Sequence, residues 1–248
     1  LGKLILLYDS NRISIEGCTD IAFREDVGKR FEAYGWQILN VEDGNNVEAI
    51  SRAIDEAKAE DKKPSLIIIK TMIGYGCPAK QGKESAHGEP LGEANVAATK
   101  EFLNWPFKEA FRVPEEVKEH MKGLAARGAA AEEEWNDLWK RYVAQYPELA
   151  KEWEAWHSNE LPVNLLNDKD YWSFKGKNAT RSSSEEVLNR LAKVLPNLID
   201  GAADLAPSTK SLMKNRGHFS EEDRTGSNLH FGVREHAMAA IANGICLH

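Results

Sequence analysis

Cysteine is scarce: Cys18, Cys77 and Cys246 are the three in 248 residues, an odd number at wide spacing with no CxxC pair. This excludes a disulfide framework and a paired-cysteine zinc site, and implies a reduced, cytoplasmic protein. Long apolar runs are missing too. None approaches the ~20 residues that span a bilayer, so no membrane partner is expected. The first residues, LGKLILLYDSN, have neither a starting Met nor the cleavage region of a secretory leader, so secretion has no support. Basic charge is not in excess: 32 Lys and Arg against 39 Asp and Glu give a net charge of −7. A general nucleic-acid coat is excluded, while local basic pockets for small phosphate esters are not. The 42% hydrophobic and 29% charged content is that of an ordinary globular chain with one large or two modest domains. An apolar strand that begins almost at Leu1, and an amphipathic helix running uncapped to His248, predict a piece excised from a longer chain.

The first hundred residues alternate strand and helix signals. Leu4 to Asp9 reads as a strand. From Asp20 to Tyr34, Phe23, Val27, Phe31 and Tyr34 stand at helical spacing, with Asp20 as N-cap and Gly35 as stop. Trp36 to Val41 is a second strand. A helix after Asp43-Gly44-Asn45 carries Val47, Ile50, Ile54 and Ala57 on one face, and Pro64 to Thr71 is a third strand. Apolar strands separated by amphipathic helices predict a parallel, doubly wound α/β sheet. The Gly-rich loop that follows, MIGYGCPAKQGKESAHGEPLG, is longer than an ordinary connection, as functional loops often are.

From Val113 to His157 the chain is acidic and helical. One aromatic stripe holds Trp135, Leu138, Trp139, Tyr142 and Tyr146, and a second holds Leu149, Trp153 and Trp156. Packing of a helical layer explains them better than a ligand box does. Ser158 to Lys177 lacks periodicity and reads as a linker. A second α/β pattern then begins: helix Ser184 to Val194, strand Asn197 to Asp204, turn Ala206-Pro207-Ser208, strand Asn228 to Phe231, and helix Arg234 to Leu247 with Met238, Ile241, Ala242 and Ile245 inward. There is no internal repeat.

Asn11 follows the first strand at its carboxyl end, where open α/β sheets bind ligands. Its side-chain oxygen and a nearby backbone carbonyl are hard donors suited to Mg²⁺ beside a phosphate. On spacing alone, a turn residue that tolerates left-handed dihedrals is the better account. His87 lies in the Gly-rich loop and offers an imidazole for proton transfer or hydrogen bonding. Arg181 and Ser208 have the chemistry of a phosphate grip, with a surface ion pair and a helix N-cap as their structural readings. Asp204 closes a strand, and Glu235 opens an apolar helix. Arg234 and His236 read as supporting residues, and His120, His157, His218 and His230 as exposed or packing ones.

YDSNRISIEG, IGYG before SAHGEPLG, NATRSSSE, GAADLAPSTKS and HFGVREHAMAAIANGI occur in the order and type found in transketolases, which use thiamine diphosphate. The sequence resembles that family from Leu1 to His248, least specifically in the acidic aromatic stretch. The resemblance implies an α/β fold with two consecutive parallel-sheet thiamine-binding domains, both incomplete, joined by a helical acidic connector. Residues 1–112 would be the C-terminal part of the diphosphate-binding domain, 113–177 the connector and linker, and 178–248 the N-terminal part of the pyrimidine-binding domain.

The resemblance also implies roles. Asn11 and the Ile13 carbonyl would bind the Mg²⁺ or Ca²⁺ that anchors the cofactor's diphosphate, and Ile15 would support its thiazolium. Asp204 would lie near the cofactor at a subunit interface. Glu235 would bond N1′ of the aminopyrimidine and promote loss of the C2 proton. His87 would meet the substrate, and Arg181 with Ser208 would hold its phosphate. The family's GDG motif, source of the anionic metal ligand, is absent from this sequence. The implied activity is two-carbon ketol transfer between sugar phosphates by a homodimer of the pentose phosphate pathway. Dihydroxyacetone synthase and deoxyxylulose phosphate synthase are related alternatives, with HGEPLG and REHAM disfavouring the latter. A non-catalytic dimerisation or interaction module is the alternative of a different class.

Overall fold

A computed structural model describes residues 1–158 and 165–247. Contacts divide the chain into two units, Leu1–Lys118 and Glu119–His248.

In the first unit β1 (Ile5–Ser10), β4 (Gln37–Val41) and β5 (Ser65–Lys70) form a parallel sheet in the order β1-β5-β4. Ser10 pairs with Lys70, and Val41 with Ile69, so the carboxyl ends of the three strands align. The central SLIIIK run is the most apolar, and Leu66 and Ile67 are fully buried. Helix α2 (Val47–Ala59) begins where Asn46 accepts the Ala49 N–H at 3.0 Å. Its Ala53 and Ala57 pack with Val41, Ile67 and Ile69, and Ile50 and Ile54 flank them. Val47 departs from the predicted face. It is 71% exposed, since it opens the first turn before the helix reaches the sheet.

The first helix is also shorter than predicted. Thr19–Ile21 is a single 3₁₀ turn, and α1 starts only at Val27, ending at Ala33. Its N-cap is Asp26, which accepts the Lys29 N–H at 3.0 Å, while Asp20 pairs with Arg12 at 2.7 Å instead. Gly35 ends the helix as expected: at φ 85°, its N–H reaches the Glu32 carbonyl at 2.9 Å.

The first unit also holds α3 (Glu93–Phe102), and the second contains most of the long helix α4 (Glu115–Gln145) and all of α5 (Pro147–His157). Trp139 stacks on Tyr142 with centroids 5.5 Å apart and meets Trp153 at 5.6 Å. The aromatic stripes therefore pair the helices, but they do not form the buried layer expected of them. No residue of α4 is buried, and Trp135, Trp153 and Trp156 stay about half exposed. Of the segment read as a linker, 159–164 lies outside the described residues. The rest is fastened: Trp172 Nε1 donates to the Leu165 carbonyl at 2.7 Å, and Arg190 donates to the Ser173 carbonyl at 2.8 Å.

Helix α6 (Thr180–Leu191) precedes a parallel pair, β6 (Asp200–Ala202) and β7 (Asn228–His230). Buried Asn228 accepts the Met213 N–H at 2.9 Å and donates to the Met213 and Gly217 carbonyls at 3.0 and 2.7 Å. The predicted Ala206-Pro207-Ser208 turn is a four-residue helix, α7 (Ala206–Thr209), flanked at its start by Leu205. Ser208 is thus inside this turn and not its N-cap. Helix α8 (Glu235–Leu247) forms where expected, but its predicted inward face is open. Ile241 and Ile245 are 46% and 44% exposed, and no residue of the helix is buried. The helix is apolar nearly all round, so periodicity did not single out one covered face. Among the described residues, no helix is long and apolar enough to cross a membrane.

Candidate functional site

Because β1, β4 and β5 are parallel and in register, the loops that follow them leave the sheet on one side. Directly after β1, Asn11 Oδ1 accepts the Ile13 N–H at 2.9 Å, closing a tight turn with Arg12 at φ 60° between them. The chain then enters a small hairpin, β2 (Ile13–Ser14) with β3 (Gly17–Cys18). Ile15 lies at its tip, 73% exposed.

The Gly-rich loop folds back on itself after β5. Gly74 has φ 65°, and a Cβ there would come within 2.9 Å of Ala86 Cβ, so this close crossing requires glycine. The Ala86 and His87 N–H groups donate to the Lys83 and Glu84 carbonyls at 3.1 and 2.9 Å. This arrangement brings His87 to the cleft that Asn11 and Ile13 line, a volume of about 790 Å³. Ile15 is not among the lining residues.

The same cleft is rich in acids, and each already has a partner within the chain. Arg12 holds the Asp20 carboxyl below the ordinary aspartate range through their hydrogen bond. Glu25 pairs with Arg30, Asp9 accepts from the Thr71 hydroxyl, and Asp26 caps α1. Among the described residues, no group of three or more His, Cys, Asp or Glu side chains is placed to hold a metal ion. Asn11 Oδ1 keeps a second lone pair and the Ile13 carbonyl is a second hard oxygen, but neither is anionic. These residues fit a share of an oxygen-ligated cation and diphosphate site, not a complete one.

The second unit has a cleft of about 620 Å³ lined by Glu185, Asp204, Lys210, His218 and His230, among others. Asp204, just past β6, has φ 68°, a left-handed conformation that aspartate tolerates better than most residues. Lys210 donates to Glu185 at 3.2 Å and, with Lys214, holds its carboxyl below the usual glutamate range. His218 Nδ1 and His230 Nε2 stand 2.8 Å apart. No sequence spacing indicated that pair, because it depends on the way 217–219 lies along β7.

Arg181, in the first turn of α6, Ser208, inside α7, and Glu235, opening α8, are all exposed and line neither cleft. Among the described residues, none is an ion-pair or hydrogen-bond partner of the Arg181 or Glu235 side chain. Glu235 comes five residues after β7, on the carboxyl side of that strand, and Val233 beside it is 75% exposed. Asn11, Ile13 and His87 are thus brought together in one unit, while Asp204, Arg181, Ser208 and Glu235 belong to the other.

Residues 1–162 match the family model of the transketolase thiamine diphosphate binding domain, and residues 176–248 that of the transketolase pyrimidine binding domain. The chain is 48% identical to a transketolase of Halalkalibacterium halodurans over its whole length, which is 37% of that relative. It is also 48% identical to a chloroplastic transketolase of Craterostigma plantagineum, covering 48% of it. Among solved structures, a Pichia stipitis transketolase in complex with sedoheptulose-7-phosphate superposes with a TM-score of 0.87 at 38% identity, over 98% of this chain and 37% of that one. The transketolase of Leishmania mexicana gives 0.87 at 34% identity, over 98% and 36%. With two transketolase domains matched in sequence order and nearly half of its residues identical to such relatives from end to end, the chain belongs to the transketolase family.

Proposed function

We propose that this chain forms part of a thiamine diphosphate-dependent transketolase that moves a two-carbon ketol unit from a ketose phosphate to an aldose phosphate. The observation that carries the reading is the shared cleft of Asn11, Ile13 and His87 at the carboxyl end of a parallel sheet, within the thiamine diphosphate domain match. Bound thiamine diphosphate would supply the nucleophilic carbon for ketol transfer. Asn11 and the Ile13 carbonyl would contribute two oxygen ligands to the Mg²⁺ or Ca²⁺ beside its diphosphate, with Ile15 against the thiazolium. Glu235 would hold a proton at N1′, and Asp204 would border the cofactor. His87 would hydrogen-bond the sugar, and Arg181 with Ser208 would grip its phosphate.

The division into 1–112, 113–177 and 178–248 fits these roles. So does a homodimer in which Asn11 of one copy and Glu235 of the other serve one cofactor. A cytoplasmic place in pentose phosphate metabolism completes the proposal. The test is transfer by the enzyme that contains this chain, with thiamine diphosphate, Mg²⁺, a ketose phosphate and an aldose phosphate. A product lengthened by two carbons is expected. A marked preference for formaldehyde as acceptor would favour the dihydroxyacetone synthase reading, and cofactor-independent dimerisation without turnover would favour the interaction module.

A further inference from the structure

We infer that Lys80 is a positioning residue for His87, setting where the imidazole stands in the cleft without touching substrate itself. The inference rests on the substrate role proposed for His87. Lys80 has a side chain only 18% exposed, unusual for a lysine, and its Nζ is turned into the loop. It donates to the Ser85 carbonyl at 3.1 Å, two residues before His87, and to the Pro90 carbonyl at 3.3 Å, three residues after it. The Glu89 carboxylate completes the set at 3.4 Å. One ammonium group thus ties both flanks of the histidine with three donors, which is all it has.

The rest of the loop explains why such a tie matters. His87 is exposed and its backbone N–H is held only by a single turn to Glu84. Gly88 follows at φ 72° with nothing within 4 Å of its Cβ position, so no neighbour packs on that face of the residue next to His87. The crossing of Gly74 against Ala86 holds the upstream side. Lys80 closes the arch between them. It is anchored in turn, because its own N–H donates to Cys77 at 3.1 Å and Cys77 is buried. Side chains placed by such contacts tolerate little displacement: a shift of about 1 Å costs up to ~100-fold when geometry is the catalytic asset.

The test uses the complete, cofactor-loaded enzyme that contains this chain. Lys80→Met keeps the aliphatic stem and removes the donors, and His87→Ala supplies the background for a double-mutant cycle. Lys80→Met is expected to lower kcat/KM for the ketose phosphate about tenfold when His87 is present and less than about twofold when it is absent. Hydrogen exchange of the 83–90 segment, read by mass spectrometry, is expected to speed up in Lys80→Met, and Lys80→Arg is expected to restore part of both losses. An equal loss in the His87→Ala background, or exchange of 83–90 that does not change, would overturn the assignment. His87→Ala with undiminished kinetics would instead remove the substrate role of His87, a failure distinct from the other two.

Discussion

Asn11 Oδ1 accepts the backbone N–H of Ile13 at 2.9 Å, so the two residues proposed to ligate the cation are already bound to one another. The turn reading and the ligand reading of Asn11 are therefore compatible: one lone pair shapes the loop and the other remains for a ligand. Asn11→Ala removes both functions, while Asn11→Asp keeps the acceptor and adds charge. Divalent-cation affinity in the complete enzyme should fall in Asn11→Ala by at least the ~10–100-fold that loss of even an outer-shell partner costs. It should be kept in Asn11→Asp. Calorimetric titration with Mg²⁺ in the presence of thiamine diphosphate decides this, and equal affinities in all three proteins would remove Asn11 from the site.

Arg181 tests the phosphate grip. Its guanidinium is exposed and has no ion-pair partner among the described residues, so replacing it with alanine should leave stability nearly unchanged. A charge-assisted phosphate contact would nevertheless be lost. Arg181→Ala should raise KM for phosphorylated substrates about tenfold or more, with little change for unphosphorylated analogues. Arg181→Lys should lie between, since a lysine keeps the charge and loses the planar fork. Equal losses for both substrate types would exclude the phosphate role.

What could be read from the sequence follows from how local each cause is. β1, β4 and β5 are apolar runs bounded by turn residues, and Gly35 marks a helix end by its own backbone freedom, so these were legible. Asp20 and Asp26 both look like caps. Only the folded hairpin, which presents Arg12 to Asp20, leaves Asp26 for the helix. The meeting of Asn11 with His87 spans 76 residues and is set by the strand order β1-β5-β4 and the fold-back of the Gly-rich loop, neither of which a local pattern encodes. The tie made by Lys80 and the His218–His230 pair were hidden for a related reason. Each depends on how a loop folds back, and neither has a characteristic spacing.

Asp200 predicts a pH dependence of stability. Among the described residues its Oδ2 is buried without a hydrogen-bond partner, and burial pushes the carboxyl above the ordinary aspartate range. Between the unfolded and folded values the native state holds the extra proton, so stability falls as pH rises through that window. The penalty is absent below it and complete above it. Asp200→Asn, of the same size and uncharged, should therefore raise the Tm by a few degrees at neutral pH and by nothing at a pH below the ordinary aspartate range. A gain of the same size at both pH values would assign the effect to something other than the charge.

Glu235 gives the sharpest test of the chemistry, because its surroundings separate function from stability. It opens α8, is exposed, and has no partner among the described residues, so within them Glu235→Gln disturbs no packing and breaks no ion pair. A glutamine can still meet N1′ of an aminopyrimidine, but it has no carboxylate with which to hold or release a proton. Thiamine diphosphate affinity and Tm should therefore stay close to those of the parent enzyme, while turnover falls by the ~10²–10⁴-fold that a positioned proton-transfer group supplies. Exchange of the cofactor's C2 proton, followed by NMR in deuterated buffer, should slow in step with turnover. If exchange continued at the parent rate while turnover fell, Glu235 would act after the cofactor is activated. If neither changed, its carboxylate would have no part in the reaction, and the proposed pairing of Glu235 with Asn11 of another copy would lose its chemical basis.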